Sequence, residues 1–202
     1  MNRYILMVLG VLLPLYFSSA QNSVINSAWT AEELSNAHTA VNSLYHDEVE
    51  KETILYLNLA RLYPKKFAQV EVTPYDGTPK YVNYVKGSKY KSSLIKELRS
   101  MKAVPALLPD SLMADNADCF AKESGVAGIT GHKRIKCPKL NLAECCSYGM
   151  DKGRDIALQL LIDEKVASLG HRKICLDPSY SKIGVGFASH IKWGVCCVLE
   201  II

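Results

Sequence analysis

The chain has 202 residues, 49% of them hydrophobic and 22% charged, with a formal net charge of +4. These proportions exclude an intrinsically disordered chain, and so mild a basic excess does not call for a nucleic-acid partner. Its cysteines are Cys119, Cys137, Cys145, Cys146, Cys175, Cys196 and Cys197. The odd number leaves at least one outside any intrachain bridge, and no Cys-x-x-Cys spacing occurs, which argues against a thioredoxin-like redox site or a zinc ribbon.

In chain order, Arg3 precedes an apolar stretch from Tyr4 to Phe17, broken only by Gly10 and Pro14, and Ser18-Ser19-Ala20 follows with small residues. This pattern predicts a signal peptide over residues 1–20, cleaved after Ala20. The apolar run is shorter than the ~20 residues that cross a bilayer. The expectation is a secreted or periplasmic protein with no stable membrane insertion after cleavage, in which cysteines serve as disulfide material. Residues 21–46 read as an N-terminal extension with a polar Asn/Ser start, and 47–202 as one domain with its own core.

Thr30-Ala31-Glu32-Glu33 has the form of a capping box and predicts a short helix. From Asp47, the spacing of Val49, Thr53, Leu57 and Ala60 predicts a longer helix that breaks or kinks at Pro64. Residues 72–91 carry Pro74, Gly77, Pro79 and Gly87 and predict an irregular surface excursion. In it Tyr75, Tyr81, Tyr84 and Tyr90 alternate with Lys80, Lys86, Lys89 and Lys91. That composition suits sugars or acidic cell-wall polymers, the competing reading being a solvated surface loop. Deleting residues 76 to 89 is expected to spare folding and to weaken binding to cell-envelope material. Further helices are expected over Ser92–Met101, from Ser111 to about Glu123 with Gly125 and Gly128 ending it, and over Asp151–Lys165. Lys182–Ser189 and Trp193–Glu200 read as strands of an antiparallel hairpin turning at His190-Ile191-Lys192. Helices first and strands last, without βαβ alternation, indicate an α+β layered domain.

His132 and His171 each follow a glycine, in Gly131-His132 and Gly170-His171, where the chain leaves a predicted helix. Glycine there permits the left-handed turn that ends a helix and aims the next side chain into a cleft. Glu144 lies between the two, and Asp163 and Glu164 precede His171. Two imidazoles with carboxylates suit a divalent cation with an open position, or a proton-transfer pair. The competing reading is that each histidine caps a helix or bonds a carbonyl. Ser168 reads as a turn former and His190 as a solvent-exposed turn residue. Asn58 and Arg61, one helical turn apart, read as structural groups bonding backbone carbonyls or a carboxylate. His38 and His46 lie in no motif.

Leu57-Asn58-Leu59-Ala60-Arg61, Gly131-His132, Ala143-Glu144, Ser168-Leu169-Gly170-His171-Arg172 and Ile183-Gly184-Val185-Gly186 occur in the order of the CAP superfamily, or SCP domains. That group includes cysteine-rich secretory proteins, venom allergens and pathogenesis-related proteins. The chain resembles its bacterial members most, over roughly residues 50 to 200. The resemblance implies an α-β-α sandwich with a small antiparallel sheet between helical layers. It also implies a cleft tetrad of two histidines and two acids that holds Zn2+ or another divalent cation in some members. The matching positions are His132, Glu144 and His171, with Asp163 preferred to Glu164 as the fourth. Cys145 replaces the asparagine that usually follows the family's acid.

Two functions are expected from this reading. One is a binding module for a small apolar ligand, a cell-envelope glycan or a partner protein. The other is a metal-assisted, peptidase-like hydrolase, with Glu144 and His171 as candidate catalytic groups. If Glu144 and His171 converge, Cys145 or Cys146 comes near Cys175, and a bridge there is expected. Cys196 and Cys197 are expected on opposite faces of the last strand.

Overall fold

A computed structural model describes residues 28–202, so the expected signal peptide lies outside the described residues. Helix α1 (Ala31–Ala37) starts on the Thr30 capping box, and α2 (Glu48–Leu62) starts on a second one formed by Asp47 and Glu50. Trp29, Ala37 and Ala40 are buried in the same core as α2. Pro64 does not merely end α2; it opens a short helix, α3 (Pro64–Phe67), where its missing N–H costs nothing. A π-helical stretch, Ala68–Val72, follows.

The irregular segment runs to Ser88, which caps α4 (Lys89–Ser100). It is not a solvated loop. Tyr75 and Val85 are buried in the core, so removing this segment would cost folding. The short strand β1 (Leu108–Pro109) leads into α5 (Ser111–Ala127), capped by Asp110 and ended by Gly128 in the left-handed conformation. Gly125 lies inside α5 and does not end it. A Cβ there would sit 1.9 Å from the Ser189 carbonyl oxygen, so glycine is required by the chain crossing above.

The remaining elements are β2 (Ala143–Tyr148), α6 (Gly153–Ile162), α7 (Gly170–Leu176), β3 (Lys182–His190) and β4 (Gly194–Ile201). The fold is α+β, with a four-stranded sheet in the order β1-β3-β4-β2. Three of its strands are antiparallel, but β1 pairs with β3 in parallel, so the sheet is mixed and not purely antiparallel as expected.

Strand alternation sorts the sheet's side chains. Gly184 and Gly186 face α5, where a Cβ would meet Ala114 N at 2.1 Å and Asp118 N at 2.2 Å. The two glycines let the helix lie almost on the backbone of β3. Ile183 and Val185 point the other way, into the core with α2 and α6. Cys196 and Cys197 split as expected, Cys196 into the cluster under α5 and Cys197 into the main core.

Buried polar side chains tie the layers together. Asn58 donates to the carbonyls of Ala37 and Leu107 at 3.0 Å and accepts from Leu107 N at 2.8 Å. Arg61 donates to the carbonyls of Pro105, Cys175, Asp177 and Tyr180 at 2.8–3.0 Å. Both are therefore structural, as their spacing suggested. His190 is buried, not exposed: its Nε2 meets the Ile129 carbonyl at 2.9 Å, and Nδ1 accepts from Lys192 N and Trp193 N, so it organises the turn from inside. His46 is also buried, accepting from Val185 N at 3.3 Å, and desolvation lowers its pKa to about 4.

Candidate functional site

The site is assembled from β2, the loop after α5, and the α6–α7 junction. Glu144 and Cys146 are two residues apart on β2, so they share the face that looks toward α5. His132 comes from the loop, where Gly131 has φ +94 and donates its N–H to the Tyr148 hydroxyl at 2.9 Å. His132 Nδ1 lies 2.6 Å from Glu144 Oε1, while Cys146 Sγ lies 3.8 Å from that nitrogen and 3.9 Å from Oε1.

The loop holding His132 is stapled. Cys119 on α5 bridges to Cys137, the disulfide found among the described residues. Closing a loop of 18 residues is worth about 3 kcal/mol by chain entropy. Glu123 adds a second clamp, accepting from the backbone N–H groups of Ile135 and Cys137 at 2.8 and 3.1 Å. The other five cysteines are free and buried. The expected bridge from Cys145 or Cys146 to Cys175 is therefore absent, and the Cys145 thiol instead faces the His171 carbonyl at 4.0 Å.

Behind Glu144 stands an ionic arrangement that the sequence did not suggest. Glu144 on β2 is registered directly opposite Glu200 on β4, and Arg134 bonds both carboxylates. The guanidinium stacks 4.3 Å from the Phe120 ring. Burial pushes the Glu200 carboxyl up to about 7, with Arg134 opposing and Glu144 adding to the rise. Burial also works to raise Glu144, but hydrogen bonds from His132 and Arg134 outweigh it and hold its pKa below the ordinary value.

Gly170 does not terminate a helix; it begins α7. The left-handed residues at this junction are Asp163 (φ 56), Lys165 (φ 64) and Leu169 (φ 52). Asp163 is 2% exposed and uses both oxygens. Oδ1 meets His171 Nδ1 at 2.8 Å, and Oδ2 accepts from the backbone N–H of His171 at 3.0 Å. With Nδ1 donating to the carboxylate, Nε2 of His171 remains for a ligand. Glu164 is engaged elsewhere, accepting from the Ser88 hydroxyl.

His171 and Asp163 open into a cleft of about 550 Å³. Its walls are largely apolar: Tyr81 and Tyr84 from the irregular segment, Tyr148, Met150, Leu160 and Trp193. Cys146 links the two halves, since it lines this cleft and also touches His132.

The ligand atoms of His132, Glu144 and Cys146 all lie within 4.8 Å of one another, a group that could hold a metal ion. Imidazole, carboxylate and thiolate together suit zinc. His171 and Asp163 stand outside this group as a pair of their own. Cys146 is the member that sequence reasoning missed. The signal was available, because residue 146 is two positions from Glu144 on a strand. No protein-family model matches the chain, and no curated protein matches it.

Proposed function

We propose that the chain is an exported CAP-like binding protein whose cleft takes a small, mostly apolar ligand bearing one polar group. The observation that carries this reading is the cleft itself. Its volume of about 550 Å³ falls in the range of small-molecule sites, roughly 300–1,000 Å³, and aromatic and aliphatic walls converge there on a few polar groups. The His171–Asp163 pair supplies the polar anchor, Nε2 being positioned by the carboxylate behind it. Helices on both faces of the sheet and the order of the matching motifs support the α-β-α sandwich of that family. The Cys119–Cys137 bridge suits an oxidising compartment.

An anilinonaphthalene sulfonate dye, which has an apolar body and an anionic group, tests the cleft. Dye binding is expected to raise its fluorescence and to quench Trp193 in a Trp29→Phe background. Val166→Arg, which fills the cleft, should weaken binding at least about tenfold, and His171→Ala should weaken it less. Equal binding by both variants and the parent would reject the cleft as the site.

A second reading rests on the His132–Glu144–Cys146 group: a divalent cation held there would polarise a carbonyl or activate water in metal-assisted hydrolysis. Titration with Co2+ should produce a thiolate charge-transfer band that Cys146→Ser abolishes and His171→Ala leaves in place. A peptide pool should then turn over in a chelator-sensitive way. No band and no uptake would leave these residues as a polar structural network.

A further inference from the structure

The tip of the β3–β4 hairpin adjoins the cleft but is not explained by it. Ile191 is 76% exposed, Val126 at the end of α5 is 79% exposed, and Trp193 is 36% exposed. These side chains belong to one stitched surface. Ile191 N donates to the Gly125 carbonyl at 3.1 Å, and a Cβ on Gly128 would touch Ile191 Cδ1 at 3.1 Å. Trp193 Nε1 donates to the Thr130 hydroxyl at 3.1 Å, and the buried His190 fixes the turn from below. The tip is therefore held in shape with its aliphatic groups in water.

Lysines edge this surface. Lys192 lies 5.5 Å from the Trp193 ring, and Lys80 donates to the Trp193 carbonyl at 3.2 Å. The nearest acid along α5, Glu123, is turned onto the backbone N–H groups of Ile135 to Cys137. Exposed aliphatics with one amphipathic indole and flanking ammonium groups match the boundary of a bilayer. There the aliphatics reach the acyl region, the indole sits at the headgroup level and the lysines meet anionic headgroups. A hydrated acidic polymer would engage the lysines but give Val126 and Ile191 nothing to bury in.

We propose that this lysine-edged apolar tip docks the protein on an anionic lipid surface. Trp193 belongs both to the tip and to the cleft wall, so docking places the cleft mouth beside the bilayer. No helix among the described residues is long and apolar enough to cross a membrane, and none is needed for surface docking. The surface stands on its own observations, and only its link to cleft occupancy rests on the function proposed above.

Co-sedimentation with vesicles of phosphatidylglycerol and phosphatidylcholine tests it. All proteins compared keep the same N terminus, so any contribution from residues 1–27 cancels. The parent should bind mixed vesicles, bind pure phosphatidylcholine weakly, and release as salt rises. A Val126→Asp/Ile191→Asp variant and a Lys80→Glu/Lys192→Glu variant should each lose about tenfold or more in partitioning. Thermal midpoint and dye binding in the cleft should persist in both, so a failed docking surface and a failed cleft give different results. Unchanged partitioning in either variant overturns the proposal. So does binding to polyglutamate with none to vesicles, which would make the tip a reader of charge alone.

Discussion

Arg61→Ala should destabilise the protein by at least about 4 kcal/mol, because each buried carbonyl left without its donor costs roughly 1–3 kcal/mol. Arg61 is fully buried and holds the carbonyls of Pro105, Cys175, Asp177 and Tyr180. Those carbonyls belong to the approach to β1 and the exit of α7, so one guanidinium joins the two chain segments that deliver β1 and β3 to their pairing. A loss of this size is a large part of the ~5–15 kcal/mol that keeps a domain folded. Urea unfolding followed by far-UV circular dichroism would measure it. Arg61→Lys should recover only part, since an ammonium cannot reach four carbonyls in the planar fork geometry. A loss under about 1 kcal/mol for Arg61→Ala would show that water replaces the guanidinium.

Arg134→Met should cost about 3–5 kcal/mol near neutral pH by leaving Glu144 and Glu200 face to face without a cation. The effect should depend on pH. In the folded protein the Glu200 pKa is raised to about 7 from an ordinary 4.5, so the native state holds the proton more tightly than the unfolded chain does. Its contribution to stability is therefore fully present below about 4.5 and is lost as pH rises toward 7. Removing Arg134 deepens that loss, so the variant should approach the parent in acid and fall furthest behind it above pH 7. Glu200→Gln in the Arg134→Met background should restore much of the stability by removing one of the two facing charges. Urea midpoints at about pH 5 and about pH 8 would decide it, and a deficit independent of pH would mean that lost packing on Phe120 dominates.

What the sequence made legible was mostly local. The capping box at Thr30, the helix beginning at Asp47, the hairpin of the last two strands and the structural character of Asn58 and Arg61 all follow from short-range spacing, and all appear in the fold. The misses came from long-range contacts. Gly125 looked like a helix stop because the hairpin crossing above it leaves no trace near residue 125. His190 looked exposed because turns usually are, yet the loop after α5 covers it. Gly170 looked like the end of a helix, but Asp163 and Leu169 take the left-handed positions and the glycine starts α7. At the site, Glu144 was legible from the resemblance, whereas Arg134 and Glu200 were not. Their meeting depends on the register of β2 against β4, which no local pattern encodes. Cys146 was hidden differently: strand alternation sets it beside Glu144 and turns its neighbour Cys145 into the core.

Asp163 carries two tasks on one carboxylate, and they cannot be separated. One oxygen holds the imidazole of His171 and the other holds the first backbone amides of α7. Turning the ring away would also loosen the start of the helix on which it rides. The histidine thus enters any encounter with its rotational freedom already removed, and that entropy was given up when the chain folded. A ligand meeting Nε2 need not freeze the side chain, and more of its contact energy appears as affinity.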